Sequence, residues 1–176
     1  MAYVVVTFDG ESISGAELLN RSGLTVTEVS FGGLGVGVCA IDDTGCDVGE
    51  CRQRLCHGPR TDDPYWQYFL RSADGAWQVA ALGVSADSIA DGAVRALIWS
   101  AGAPDFAAPA IEELAGKAGD TMKNGVALTR YQADGSIDDD SGSEDTQVPY
   151  AGVVIVVAAV ALAGGVVVRK RAGVRT

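Results

Sequence analysis

The stretch PYWQYFLRSADGAWQVAALGVSADSIADGAVRALIWS, residues 64–100, decides the fold because it alternates apolar runs with turn signals. Apolar and aromatic residues dominate 65–70, 76–82 and 93–99, and the dipeptides Asp74-Gly75 and Asp91-Gly92 separate these runs. Asp-Gly between apolar runs is a strong hairpin signal, since both residues tolerate the positive φ that a tight turn requires. The stretch therefore predicts three antiparallel strands.

A strand and a helix precede this stretch. Residues 3–8 are apolar and include a run of three valines, which predicts a strand. Ser14-Gly15-Ala16-Glu17 then forms a capping box, in which the serine hydroxyl and the glutamate carboxylate each satisfy an unpaired amide of the first helical turn. We expect the helix to run to about Arg21 and to end at Gly23, which allows a left-handed conformation.

Residues 24–31 predict a further strand whose alternation of apolar side chains changes phase. A bulge near Thr27 or Glu28 explains the change, because one extra residue moves the following side chains to the opposite face. Several strands with one helix predict an α+β fold, with a small antiparallel or mixed sheet and one covering helix.

The order and spacing of several short motifs resemble a known family. The motifs are SISGAELLNRSGL at 12–24, PYWQYF at 64–69, GAW at 75–77, LGVS at 82–85, Asp91-Gly92 and Ile98-Trp99. Together they resemble the transcobalamin-like C-terminal domain family of small, β-rich extracytoplasmic modules. The resemblance implies a β-grasp-like arrangement that binds a small ligand or a partner; in transcobalamins the related domain closes over cobalamin. This chain lacks the α-helical repeat domain that supplies the other wall of that site, and it inserts a cysteine-rich loop.

The four cysteines of this loop fall within 18 residues, at Cys39, Cys46, Cys51 and Cys56. An even number of closely spaced cysteines in a small domain predicts a disulfide framework in an oxidising compartment, with three connectivities open. A zinc site is one alternative, although the spacing lacks the usual Cys-x-x-Cys knuckle. Haem attachment is another, because Cys51 to His57 resembles an expanded Cys-x-x-Cys-His motif.

An uncharged run of 18 residues, 151–168, is followed at once by Arg169-Lys170-Arg171. At about 1.5 Å per residue the run covers roughly 27 Å, near the thickness of a hydrocarbon core. Tyr150 adds an aromatic residue at the membrane interface. The pattern predicts a single transmembrane helix over 150–168 and a basic cytoplasmic tail over 169–176.

Charge predicts which side of the membrane the remaining residues occupy. The residues before the span hold all 23 acidic and 9 of the 13 basic residues, a net charge of −14, whereas the tail carries +4. This asymmetry favours an extracytoplasmic N-terminal domain and a cytoplasmic C-terminus. An acidic surface excludes nucleic acid as a partner, because phosphates require clustered basic residues. The run at 3–8 is too short for a signal peptide, so we expect one to be missing upstream; a tail-anchored protein is the alternative.

Composition divides the chain into four parts. Residues 1–101 hold all three tryptophans and predict the folded α+β domain. Residues 102–149 are rich in Ala, Asp and Ser and predict a stalk, with a short helix at 108–123 where apolar residues recur at helical spacing. The span and the tail follow.

Aromatic residues are the candidate ligand-binding residues: Tyr65, Trp66, Tyr68 and Trp77. Exposed, their rings would stack on a planar ligand or anchor a protein partner; the alternative is that they fill the core. The single histidine, His57, lies inside the cysteine loop, and no nucleophile, phosphate-loop or metalloprotease motif occurs. We therefore predict no enzyme, no catalytic residue, no metal and no cofactor.

These observations predict a membrane-anchored, single-pass recognition module at the cell surface. Its ligand is expected to be a corrinoid or another vitamin-like compound, bound in association with a transporter subunit. A structural or adhesive surface protein that contacts other proteins is the first alternative. A thiol redox or metal module is the second.

Overall fold

The computed structural model describes residues 2–104, 106–118, 123–130 and 154–161, which form a mixed α+β fold. The strands are Ala2–Phe8 (β1), Ser12–Ser14 (β2), Val26–Ser30 (β3), Val36–Ile41 (β4), Thr44–Gly45 (β5), Tyr65–Arg71 (β6), Trp77–Val79 (β7), Ser88–Ala90 (β8), Val94–Ser100 (β9), Val126–Arg130 (β10) and Val154–Ala161 (β11). The helices are Gly15–Arg21 (α1), Val48–Arg54 (α2) and Ile111–Ala118 (α3).

The strands form one large sheet and two small ones. The large sheet has the order β10-β1-β11-β9-β6-β7, in which β1 and β11 are parallel and every other pair is antiparallel. Strands β2 and β8 form a two-stranded ribbon, and β3, β4 and β5 form a three-stranded sheet. The expected small α+β fold with antiparallel sheets is confirmed.

Both faces of the large sheet are packed. On one face Val4, Val6 and Leu97 contact Leu18 and Leu19 of α1, and we call this cluster the first core. Because successive strand residues point to opposite faces, the other side carries a second core with Val5, Phe69 and Ile98.

Helix α3 and strand β10 belong to the second core. Leu114 of α3 is 1% exposed and Ala127 of β10 is 2% exposed. The sequence predicted a stalk for 102–149 with a helix at 108–123. The structure has the helix, but it packs this helix and β10 against the sheet. Residues 131–149 of the expected stalk lie outside the described part of the chain.

The hairpin signals in 64–100 lead to two different results. Asp74-Gly75 joins β6 and β7, which pair antiparallel with Phe69 opposite Val79, and Gly75 has a φ of +86°. Asp91-Gly92 also forms a turn, but the prediction of paired strands around it is wrong, because β8 pairs with β2 instead of β9. The ribbon of β2 and β8 buries both isoleucines at its centre, Ile13 and Ile89, in the first core.

The predicted Ser14 cap of α1 and the predicted bulge in β3 are confirmed. The Ser14 hydroxyl accepts a hydrogen bond from the Glu17 amide at 3.1 Å, and Gly23 has a φ of +79° just after the helix. The Glu17 carboxylate pairs with Arg21 one turn later, whereas the capping box predicted that it would accept from an amide at the start of the helix. Between Thr27 and Glu28 the register of β3 against β4 shifts, as expected for a bulge.

The structure differs from the expected membrane helix where it describes that region. Residues Val154–Ala161 form β11, between β1 and β9. Within the described residues, no helix combines the length and the apolar character needed to cross a membrane. Residues 150–153, the end of the expected span and the basic tail lie outside the described part.

Candidate ligand-binding cleft

Two disulfides hold the cysteine loop. Cys39 pairs with Cys51 and Cys46 pairs with Cys56, with Cα atoms 5.4 and 5.5 Å apart. All four cysteines are therefore oxidised, and the predicted disulfide framework is confirmed. A zinc site needs free thiolates and haem attachment needs thioether bonds, so this pairing provides for neither.

Helix α2 positions the disulfides. Asp47 caps it by accepting hydrogen bonds from the amides of Gly49 at 2.7 Å and Glu50 at 2.9 Å. The cap fixes where the helix begins, and Cys51 is then fully buried against β4, which carries Cys39. Leu55 ends the helix in the left-handed region with a φ of +52°, so the chain reverses and carries Cys56 back towards Cys46.

A cleft of about 290 Å³ lies between this loop and strand β9. Its lining combines one aromatic ring, one disulfide, three charged side chains and several Gly and Pro backbones: Gly45, Cys46, Glu50, Arg54, Cys56, Gly58, Pro59, Asp63, Pro64 and Trp99. We call this group the cleft. The cleft is open to solvent, and Trp99 is its one aromatic side chain, whereas small-ligand sites are usually lined mainly by apolar side chains.

Trp99 forms the aromatic wall of the cleft. It lies opposite Trp66 in the pairing of β6 and β9, and the two rings meet edge to face with centroids 5.5 Å apart. Trp66 packs on the first core, whereas Trp99 packs on the disulfide cluster and stays half-buried. Edge-to-face contact with Trp66 holds the Trp99 ring in place, so one ring is fixed at the wall.

Two of the three charged side chains of the cleft pair with each other, and the third is held by a backbone amide. Arg54 donates to a Glu50 carboxylate oxygen at 2.7 Å across one turn of α2. Asp63 accepts a hydrogen bond from the Arg60 amide at 2.9 Å and lies against Gly58, where an added Cβ would meet its carboxylate at 2.1 Å. The cleft therefore offers polar groups of both signs beside the Trp99 ring.

The four predicted binding residues do not form one surface. Tyr65 stacks on His57 with ring centroids 3.8 Å apart, beside the cleft loop. Trp66 and Tyr68 pack on the first core, whereas Trp77 lies on the second core against Phe106, with ring centroids 5.7 Å apart. None of the four lines the cleft.

Tyr68 belongs to a buried polar network. Its hydroxyl donates to Asp87 at 2.6 Å, and Arg95 donates to the same carboxylate through Nε at 2.6 Å and Nη2 at 3.3 Å. Burial, together with the hydrogen bond to Asp87, raises the pKa of Tyr68, so the hydroxyl remains a donor. Burial opposes ionisation of Asp87, but the hydrogen bonds from Arg95 and Tyr68 outweigh it and hold the pKa of this carboxyl below its usual value.

Sequence reasoning missed the cleft residues Glu50, Arg54, Asp63 and Trp99. The sequence held a weak signal for Trp99, because it is one of only three tryptophans and closes the apolar run 93–99. The other three depend on how the disulfides fold the loop, which spacing alone leaves open.

The fold and the cleft define a small, disulfide-bonded α+β protein. In comparisons with known proteins, the chain matches no family model, no curated protein and no solved structure.

Proposed function

We propose that the protein is a membrane-anchored binding module with an extracytoplasmic, β-grasp-like domain that holds a small ligand at the cleft. One observation carries the proposal: a concave site of about 290 Å³ with a fixed Trp99 ring on one side and a disulfide-bonded, charged loop on the other. A fixed aromatic ring offers a stacking face at little cost in conformational entropy.

The size of the cleft limits what it encloses. Sites for drug-sized ligands typically measure about 300–1,000 Å³, so the cleft, at about 290 Å³, lies at the lower end of this range. A corrinoid is larger and would be held by one edge, with most of its surface left outside. Such partial enclosure suits a module that passes its ligand to a transporter subunit in the same membrane.

Two further observations support an extracytoplasmic location. Disulfides persist in oxidising compartments, and both bridges of this loop are buried or partly buried structural links. The residues before 151 carry a net charge of −14, from 23 acidic and 9 basic residues, and the basic cluster Arg169-Lys170-Arg171 follows the uncharged run. Positive charge on the C-terminal side favours a cytoplasmic tail.

Isothermal titration tests the binding proposal. The oxidised full chain, in mild detergent, is titrated with cobalamin and with its lower-ligand-free precursor. Trp99→Ala should weaken binding about tenfold or more, because it removes the stacking wall. Trp77→Ala is the matched control: it also removes a half-buried tryptophan, but on the opposite face of the sheet.

Thermal unfolding first shows that each variant is folded, so that a change in binding heat reports on the site. Saturable heat that Trp99→Ala abolishes and Trp77→Ala preserves supports the cleft. No heat from the folded wild type with either corrinoid contradicts a corrinoid ligand. Equal losses in both variants contradict the placement of the site.

A second candidate function is adhesion through exposed apolar side chains. Leu34 is 91% exposed and Leu82 is 60% exposed. Their loops are joined where the Val36 amide donates to Ser85 at 2.8 Å. Under this alternative, beads coated with the protein aggregate, and Leu34→Ser combined with Leu82→Ser prevents it.

A further inference from the structure

Residues Val154–Ala161 carry two signals that one conformation cannot satisfy. In the sequence they lie inside the uncharged run 151–168, which is long enough to cross a membrane as a helix. In the fold they are an inner strand of the large sheet. Five of the eight residues are Val or Ile, which favour strands and are equally apolar in a bilayer.

The position of this strand in the sheet is fully specified. It runs parallel to β1 from Ala2 opposite Ile155 to Phe8 opposite Ala161. On its other side it runs antiparallel to β9, from Val154 opposite Ile98 to Ala158 opposite Val94. We call the space between β1 and β9 the slot.

The two strands that border the slot carry apolar side chains on both faces of the sheet, and their edges towards the slot are backbone N–H and C=O groups. In β1 the side chains of Val4, Val5 and Val6 are no more than 2% exposed, and in β9 Ala96, Leu97 and Ile98 are no more than 4% exposed. An inner strand satisfies its backbone groups from both sides, whereas a transmembrane helix satisfies them within itself. The backbone groups of residues 154–161 are therefore hydrogen-bonded in either state, as a strand in the slot or as part of a membrane helix.

The chain between the two sites is long enough for either arrangement. The 23 residues 131–153 connect β10 to β11. Extended at about 3.3 Å per residue they reach roughly 76 Å, so the connection does not force the segment into the slot.

We propose that residues 154–161 exchange between a strand in the slot and part of a membrane span, so that the fold and the bilayer compete for them. This inference rests on the membrane anchoring contained in the proposed function, and it is independent of the ligand. Inserting the segment into a bilayer empties the slot. Because β1 is parallel and β9 antiparallel to β11, the emptied walls are antiparallel to each other, and an approach of about 4.8 Å allows them to pair.

Proline substitution separates the two states. Ala158 has a partner in both walls, Val5 in β1 and Val94 in β9. Ala158→Pro removes an amide donor from an inner strand, where proline is poorly tolerated, whereas a transmembrane helix accommodates it. Ala163→Pro is the matched control, because it lies in the same uncharged run but beyond the strand.

A second variant changes the slot and leaves the segment intact. Val94 is opposite Ala158, but it has no partner in β6, whose pairing with β9 covers Arg95 to Ser100. Val94→Pro should therefore weaken the slot without altering the affinity of the segment for lipid.

Vesicle flotation measures the competition. The purified, oxidised full chain and each variant are mixed with vesicles of phosphatidylcholine and phosphatidylglycerol over a range of lipid concentrations. We expect the ratio of floated to sedimented chain to rise about tenfold for Ala158→Pro, corresponding to about one lost hydrogen bond, and to rise for Val94→Pro as well. Ala163→Pro should match the wild type.

Three other flotation results would contradict the exchange of residues 154–161 between the slot and the membrane. Equal flotation of Ala158→Pro, Ala163→Pro and the wild type means that the slot does not compete. Complete flotation of the wild type at every lipid concentration leads to the same conclusion. If no variant floats, membrane anchoring itself is wrong, and with it that part of the proposed function, whereas corrinoid titration remains a separate test of the cleft.

Discussion

Replacing Asp87 by asparagine should cost a large fraction of the stability of this fold. Asp87 accepts hydrogen bonds from Arg95 and Tyr68, and the side chains of the ion pair are only 14% and 12% exposed. Asp87→Asn keeps the shape but removes the charge, which leaves the guanidinium of Arg95 buried without a counterion. Breaking a buried pair in this way costs about 3–5 kcal/mol, and partial exposure reduces this to about 2–3 kcal/mol.

The pH dependence follows from the lowered pKa of Asp87. Because the folded state holds the pKa of this carboxyl below its unfolded value of about 3.9, the stabilisation is complete above that value. It is lost as the pH falls through the folded pKa. The difference in stability between wild type and Asp87→Asn should therefore be constant near pH 7 and shrink below about pH 4.

Urea unfolding followed by tryptophan fluorescence measures the effect. With a slope of about 1–3 kcal/mol per M, the predicted loss lowers the unfolding midpoint by about 0.7–3 M at pH 7. Asp62→Asn is the control, because its ion pair with Arg60 is 65% and 72% exposed and should change the midpoint very little. A midpoint for Asp87→Asn equal to that of the wild type at pH 7, or a difference that persists unchanged at pH 2, would refute the reasoning.

Three further predictions concern other parts of the fold. Burial raises the pKa of Glu28, so Glu28→Gln should raise the midpoint of urea unfolding at pH 7. This gain in stability should vanish below about pH 4, because the carboxyl is then protonated in the unfolded state as well. An unchanged midpoint at pH 7 contradicts the prediction. Gly15→Ala should destabilise the fold by about 1–3 kcal/mol, because the new Cβ would lie 2.6 Å from the backbone carbonyl oxygen of Val84. Gly102→Ala is the control, because its Cβ meets nothing within 4 Å. Equal melting temperatures of the two variants would exclude the clash. Leu114→Ala should lower the free energy of urea unfolding by about 2–4 kcal/mol, because Leu114 is 1% exposed. Glu112→Ala is the exposed control on the same helix. An equal loss for both variants would show that α3 is not part of the core.

Much of the local structure could be predicted because it depends on residues close together in the chain. The capping of α1 by Ser14 needs only the next three residues, and the bulge at Thr27 and Glu28 is visible as a change of phase within one strand. The turn at Asp74-Gly75 likewise joins two adjacent strands. Signals of this kind survive without knowledge of the rest of the fold.

The candidate site could not be predicted in the same way. The aromatic residues were identified from their abundance in β6 and β7, but alternate strand positions send Trp66 and Trp77 to opposite faces of the sheet. The cleft forms instead where Trp99 of β9 meets a loop whose shape depends on two disulfides. Because four cysteines allow three pairings, their spacing leaves the loop shape open.

The sequence by itself determined an α+β protein with an early capped helix, Asp-Gly turns and an apolar run at 151–168. Only the tertiary structure decided that β8 pairs with β2, that Cys39 joins Cys51, and that residues 154–161 lie between β1 and β9. The physical reason is that turns and caps arise from contacts between near neighbours in the chain. The pairing of distant strands depends on which apolar surfaces bury each other best across the whole fold, and an apolar run fits a sheet interior and a bilayer equally well.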